Sequence, residues 1–341
     1  MTADRRVDVL VVGAGPAGLA AAARLAAAGA GRVEVLERET QAGGVPRHCA
    51  HGGFGTWARR LTGPEYARLL TEGATHTGAV LRAGVTVLDW AGPRTLTTVG
   101  PQGLETIEAE AVVLATGSRE RPRAARLVPG TRPAGVYTTG ELQQAVHLFG
   151  QPIGTRAVVV GAERVSYSAA DTLRTAGVAV VALLTENPRA QAPLLRAQSA
   201  RLGHRVPLLT DTAVTELLGH GRLSGVRVRH RDGRTATLPC DTVVFTGDFV
   251  PENELARRAG ITLDGTPHTS RPGVFAVGAV LHPGQRARSA TWAGAEAGGA
   301  VLEWLAGEEW PAHGSVQDRC SQVRVGPVLA GPCRTAAHRS V

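Results

Sequence analysis

The chain opens on an apolar run, Val7 to Val12, followed by glycines at 13, 15 and 18 and an alanine-rich stretch. A second apolar run closes at Glu37. Short apolar runs bounded by turn-formers read as buried strands, and the alanine-rich segment between them reads as a helix. Residues 156–186 repeat this plan, with RAVVV as a strand, GAERVSYSAADTLRTAG as a turn and helix, and VAVVALLTE as a strand ending in Glu186. Between the two units, helical spacing runs from Pro64 to about Ala79. Short β-rich segments at 84–89, 94–99 and 104–109 then predict a small meander.

A buried strand, Ala111 to Ala115, ends in Thr116-Gly117. After the repeat come β segments at about 206–210, 213–218, 223–230 and 234–238, and the strand Thr242 to Phe245 ends in Thr246-Gly247. VFAVGAV at 274–280 reads as another buried strand, and an Ala/Gly-rich helix follows from about Ser289 to Leu305. The pattern predicts an α/β chain of two Rossmann-like dinucleotide-binding domains, the second inserted into the first. The first domain takes 1–118 and 248–310, the second 119–247, and the two Thr-Gly pairs mark the crossings. Residues 311–341 form a tail of little periodicity.

The glycine spacing at the first strand–helix turn carries chemistry. Gly13 permits the tight turn, Gly15 admits a pyrophosphate to the backbone, and Gly18 lets helix pack on strand. The free N–H groups of the helix then hold the phosphates. Glu37, with Arg38 after it, stands where a carboxylate accepts hydrogen bonds from an adenosine ribose.

Composition changes this picture little. The formal charge of +8 comes with no lysine at all, scattered arginines and 4% aromatic residues, which argues against nucleic acid. No apolar run has the roughly 20 residues of a membrane span, and the N-terminus lacks the order of a signal peptide, so the expected location is cytoplasmic. Cys49, Cys240, Cys320 and Cys333 lie far apart without metal-ligand spacing, so no metal site is expected.

The phrases GGVPRHCAHGGFG (43–55), ATGSRERPRAARLVPGTRPAGVYTTGELQ (115–143), VVGAERVSYSAADTLRTAG (159–177) and TGDFVPENELARRAG (246–260) carry a resemblance. Over 1–310 the chain resembles the two-dinucleotide-binding-domain flavoproteins of the pyridine nucleotide–disulfide oxidoreductase superfamily. It is most similar to the smaller FAD subunit of hydrogen cyanide synthase and opine oxidase-type complexes. The resemblance implies FAD at the first site, held by Gly13, Gly15, Pro16, Ala17, Gly18, Glu37 and Arg38. Gly43, Gly44, Val45 and Arg47 would run along the flavin, with Thr116, Gly117, Gly278 and Ala279 near it. It also implies an amine or amino-acid substrate. The implied partners are a small [2Fe–2S] protein and a second flavoprotein subunit.

Three departures from the superfamily shape the expected chemistry. A dithiol relay needs two cysteines, but only Cys49 follows the Gly-Gly turn and residues 119–239 contain none. The second turn reads G-A-E-R-V-S, so Glu163 and Ser166 replace glycines and the carboxylate opposes a pyrophosphate; productive NAD(P) binding is not expected. Ala279 stands where superfamily members usually carry an aspartate. The loop Arg47-His48-Cys49-Ala50-His51 offers His48, then His51, as acid or base, and Arg47 as an anchor for negative charge. The plain alternative is that this loop only packs on the cofactor.

The resulting expectation is an FAD-dependent oxidoreductase subunit that oxidises an amine or amino acid and passes electrons to a partner. The competing readings are a free-standing NAD(P)H-dependent flavoprotein reductase and a non-catalytic scaffold.

Overall fold

The computed structural model describes residues 4–55, 59–192 and 206–311. The chain begins with β1 (Arg5–Val12), α1 (Pro16–Ala27), β2 (Val33–Glu37) and a 3-10 turn at Val45–His48. The hairpin β3–β4 (Gly52–Gly55, Arg60–Thr62) and α2 (Gly63–His76) follow, then β5 to β8 (Val80–Ala83, Thr86–Gly92, Thr95–Gly100 and Gly103–Leu114). Next come β9 (Ser118–Glu120), β10 (Val136–Thr138), α3 (Thr139–His147), β11 (Arg156–Val160), α4 (Arg164–Thr175) and β12 (Ala179–Leu184). Five strands, β13 to β17, occupy Leu208–Leu209, Thr212–Leu218, Gly225–His230, Thr235–Pro239 and Thr242–Phe245. The described chain closes with β18 (Phe249–Pro251), α5 (Glu254–Arg258), β19 (Val274–Ala276), a 3-10 turn at Gly278–Val280 and α6 (Ala287–Leu305).

The first sheet runs β5-β2-β1-β8-β7-β6, with β19 added on the second half of β8. Its β5, β2, β1, β8 and β19 strands are parallel, and the register sets Val12 beside both Leu36 and Leu114, with Ala276 beside Leu114. The C-terminal ends of four strands therefore meet at one edge, the place where open α/β sheets bind ligands. One face packs Val9, Val11 and Phe275 under α1 and α6, and the other buries Leu10, Leu96, Ile107 and Val112. Each such side chain contributes roughly 1.5–3 kcal/mol of burial. The second sheet, β10-β17-β11-β12-β13, is parallel throughout and sets Val160 beside Leu184 and Phe245.

The chain passes between the sheets twice, and the two passages pair with each other. β9 and β18 form an antiparallel ribbon with Glu120 opposite Phe249. Buried Glu120 then accepts the N–H groups of Gly140 in α3 and of Gly247, each at 3.0 Å. Burial pushes its carboxyl above the usual range.

Three element limits differ from expectation. α2 begins at Gly63 because Thr62 caps it in a reciprocal pair with Glu65, and it ends at His76 before Gly78 turns at φ +101°. The strand expected at 111–115 is the end of the longer β8, whose first half pairs β7. The run 274–280 stops being a strand at Ala276, because Gly278 at φ +80° turns it into the 3-10 segment. The expected tail, with Cys320 and Cys333, lies outside the described residues apart from Pro311.

Candidate functional site

The meeting strands place Gly13, Glu37, Thr116 and Gly278 around one edge. Gly13 has φ +106°, and a Cβ there would stand 2.5 Å from the Ala115 carbonyl oxygen. A Cβ on Gly18 would run into the Gly13 carbonyl, so helix and turn touch through backbone. Gly15 differs, since nothing lies within 4 Å of its Cβ direction. It is the N-cap of α1, with Pro16 at the first helical position and no side-chain cap, so the first N–H groups of that helix have no partner within it. This is a cradle that a side chain would fill and a phosphate group can enter.

The acid at the end of β2 is tied to the same turn. Glu37 accepts the N–H of Ala14 at 3.0 Å with one oxygen and that of Glu39 at 3.0 Å with the other. Each oxygen retains a lone pair for a ribose hydroxyl. Arg38 is exposed beside it. Gly43 donates its N–H to the Ala14 carbonyl at 2.8 Å, and a Cβ on Gly44 would stand 2.8 Å from Gly15 Cα. The Gly-Gly loop is thereby bound to the dinucleotide turn. Gly117, at φ +86°, also has clear space on its Cβ side, while a Cβ on Gly278 would stand 2.6 Å from that of Ala17. Ala279 lies half-buried in the 3-10 turn that Gly278 opens.

The loop after the Gly-Gly turn is less uniform than its sequence suggests. Arg47 pairs with Glu39 and also donates to the Gln41 carbonyl at 3.0 Å, so its guanidinium is engaged within its own loop. Val45 is exposed. His48 is only 3% exposed, and its Nδ1 has no hydrogen-bond partner among the described residues. Such an orphan calls for a ligand or an ordered water. Burial holds the His48 imidazole below its usual range, with nearby Glu39 opposing this and Arg47 and His147 adding to it. Cys49 lies 3.3 Å from Gln143 Oε1, and burial followed by the Glu120 charge pushes its thiol up to about 12. His51 is half-buried, its Nδ1 donates to the Gly52 carbonyl at 2.8 Å, and its ring stacks on Phe54 at 5.5 Å between ring centres. Among the described residues no group of three His, Cys, Asp or Glu side chains has metal-binding geometry.

In the second unit the corresponding turn is filled from within. Glu163 is the N-cap of α4, and its N–H donates to Ser166 Oγ at 3.0 Å. Ser166 Oγ lies 3.3 Å from Glu163 Oε2 and 2.6 Å from Thr246 Oγ1. A Cβ on Gly247 would fall against the Glu163 carboxylate. Burial raises the Glu163 carboxyl above its usual range. Arg126 donates to the Thr246 and Gly247 carbonyls at 3.0 and 2.8 Å, which binds it to the backbone crossing.

Three contacts had no signal in the sequence. Glu39 holds Arg47, Gln143 meets Cys49, and Glu120 ties both crossings. Only the T-x-x-E pattern of Thr138 and Glu141 marks the start of α3 locally.

A two-sheet α/β chain with an open glycine turn where the strand ends meet has the form of the dinucleotide-binding class. The family profile of pyridine nucleotide-disulphide oxidoreductases matches residues 7–299, and the chain belongs to this family of FAD-dependent oxidoreductases. It is 29% identical to an opine oxidase subunit of Rhizobium meliloti, over 80% of this chain and 58% of that one. It is 30% identical to thioredoxin reductase of Mycolicibacterium smegmatis, over 89% of this chain and 97% of that one. The crystal structure of T. acidophilum thioredoxin reductase shares the fold, with a TM-score of 0.73 and 24% identity over 88% of this chain and 99% of that one. The match spans little more than half the length of the opine oxidase relative. No helix among the described residues is long and apolar enough to cross a membrane.

Proposed function

We propose that this chain is an FAD-carrying oxidoreductase subunit that oxidises an amine or amino acid and delivers the electrons to a flavin or iron–sulfur partner. The observation that carries the proposal is the Glu163 carboxylate at the second dinucleotide turn, joined to Ser166 and Thr246. A nicotinamide dinucleotide would have to bring its phosphates against that carboxylate. Similarity to the R. meliloti opine oxidase supports the substrate class and the presence of partner subunits.

In this reading the first domain takes 1–118 and 248–310, the second 119–247. Gly13, Gly15, Pro16, Ala17 and Gly18 hold the pyrophosphate, Glu37 with Arg38 the adenosine ribose, and Gly43, Gly44 and Val45 run beside the flavin. Thr116, Gly117, Gly278 and Ala279 complete the edge. FAD, when bound, supplies the two-electron acceptor. His48 accepts the proton of a substrate ammonium group, since burial keeps the imidazole neutral at neutral pH. His51 stands nearer solvent, and Arg47 orients the loop through Glu39. Cys49 stays a neutral thiol and takes no part in electron transfer.

A second reading is a stand-alone NAD(P)H-dependent flavoprotein reductase, favoured by the near full-length similarity to the M. smegmatis thioredoxin reductase. Anaerobic mixing of the flavin-loaded protein with NADH, NADPH and a panel of amines and amino acids separates the two. Bleaching by an amine alone supports the oxidase reading, and bleaching by a pyridine nucleotide alone supports the reductase.

A further inference from the structure

The described tryptophans are of two kinds. Trp90, Trp304 and Trp310 donate their indole N–H groups to the backbone carbonyls of Leu255, Glu110 and Thr269, at 2.8, 2.9 and 3.2 Å. Trp292 is 68% exposed, and among the described residues its indole N–H meets no acceptor. The inner side of α6 has no room for it. Gly294 packs there on α1, where a Cβ would stand 2.1 Å from the Ala17 carbonyl oxygen. Trp292, two positions earlier, points the other way. A tryptophan held in water on a rigid helix is the residue type that most often anchors a protein interface.

The surface around it is basic. Arg288 is exposed one turn before Trp292 on the same face, and exposed Arg286 stands at the N-cap of α6. Arg60 is exposed on the β3–β4 hairpin, whose first strand lies along α6. Among the described residues none of these three forms an ion pair. The first acid of α6 is Glu296, a turn beyond Trp292. This surface is joined to the loop after the Gly-Gly turn. The Gly63 N–H, at the start of α2, donates to the Cys49 carbonyl at 3.0 Å, and the Tyr66 hydroxyl lies 2.7 Å from Oγ1 of Thr291, the neighbour of Trp292. Phe54 sets its ring centre 5.7 Å from that of Tyr66 and 5.5 Å from that of His51.

We propose that the Trp292 surface is the docking site of an acidic electron-accepting protein. Trp292 enters an apolar spot on that protein, and Arg60, Arg286 and Arg288 meet carboxylates around the spot. The inference rests on the delivery of electrons to a partner proposed above. Charge selects the occupant: the exposed guanidinium groups, on a chain of formal charge +8, repel a basic protein and steer an acidic one. They also oppose a second copy of this chain, because a two-fold contact sets the same arginines against each other. Position selects the role, since Tyr66 and Phe54 join this surface to the loop that runs beside the flavin in that reading.

The test titrates the flavin-loaded protein with a purified acidic [2Fe–2S] ferredoxin by isothermal calorimetry, at low salt and with no amine present. The parent should bind, and Trp292→Ala should weaken binding about tenfold or more. Arg288→Glu should weaken it too, by a factor that shrinks when salt is raised from about 20 to about 200 mM. Leu104→Ala, which trims a comparably exposed side chain on β8, should bind like the parent. Each variant should melt like the parent, because these side chains stand in water. No binding by the parent, or equal binding by Trp292→Ala, overturns the inference. A parent that sediments as a dimer, with Trp292→Ala a monomer, assigns the surface to a second copy and overturns it as well. With no amine in the titration, a failure to oxidise amines leaves this result standing. A failure to bind the ferredoxin in turn leaves amine-driven bleaching of the flavin to be judged by itself.

Discussion

The backbone N–H of Ala14 donates to Glu37 Oε2 at 3.0 Å, joining the glycine turn after β1 to the acid that ends β2. With the Gly13 N–H on the Leu36 carbonyl at 2.8 Å, it fastens the turn after β1 to the end of β2. Glu37→Ala leaves the Ala14 amide without an acceptor in a buried place, at a cost of about 1–3 kcal/mol. Thermal unfolding of the variant should show this loss, with less flavin retained after gel filtration. An unchanged melting temperature and full flavin content would mean that Glu37 has neither role.

Two glycines of the same turn should behave oppositely. Gly18→Ala drives a methyl group into the Gly13 carbonyl and should destabilise the whole protein by several kcal/mol, on the order of an overpacked core. Gly15→Ala meets no atom within 4 Å and should leave the apoprotein about as stable as the parent. It should nonetheless lower FAD affinity by roughly tenfold or more, because the methyl occupies the space the pyrophosphate enters. Isothermal titration of apoprotein with FAD, beside thermal melts, reads both effects.

The pH dependence of flavin reduction follows from His48. Burial holds its imidazole below the usual 6.5, so the neutral form dominates at and above that value. Reduction by amine should be limited by His48 only on the acid side. The sign for stability is the same: the unfolded chain takes up a proton near pH 6.5 and the folded one lower. Stability contributed by neutral His48 is therefore present above about pH 6.5 and is lost as pH falls through the folded value. His48→Asn should flatten this acid limb in denaturant melts taken between about pH 5 and 7.

Cys49 should be inert. Its thiol, pushed up to about 12 and buried, remains protonated throughout the neutral range. Peptide mapping after treatment with a thiol reagent should find Cys49 unlabelled in the native protein near neutral pH and labelled after denaturation. Fast native labelling at that position would bring it back as a redox candidate.

Much of this architecture is legible from short-range pattern. The runs at 7–12, 33–37, 156–160 and 242–245 are strands because each is apolar throughout and bounded by turn-formers, as strands buried on both faces must be. Gly13 and Gly18 are legible because each answers a local backbone need, and Gly15 because it leaves space open at the start of α1. What stays hidden depends on distant partners. Nothing near Arg119 or Val250 signals that the two crossings pair, since the residues are far apart in the chain and join only after both sheets form. Likewise Arg47 reads in sequence as an anchor for anions, whereas in the fold Glu39 holds it, and Gln143 gives no hint of facing Cys49. The last strand ends earlier than its apolar run for a local reason, the positive φ of Gly278.

Double substitution of Glu163 and Ser166 by glycine should remove the carboxylate from the second turn. It should also break the 2.6 Å contact to Thr246, so the variant should be less stable than the parent. If the turn is otherwise intact, NADH or NADPH should gain measurable affinity in equilibrium binding. No gain would assign the block to another part of the second unit.

The central claim, that electrons enter from an amine and not from a pyridine nucleotide, is tested most directly by anaerobic stopped-flow spectroscopy of the flavin-loaded protein. The account predicts that the visible band of oxidised flavin persists on mixing with NADH or NADPH and falls with a suitable amine or amino acid. Rapid bleaching by either pyridine nucleotide, with no response to amines, would contradict it.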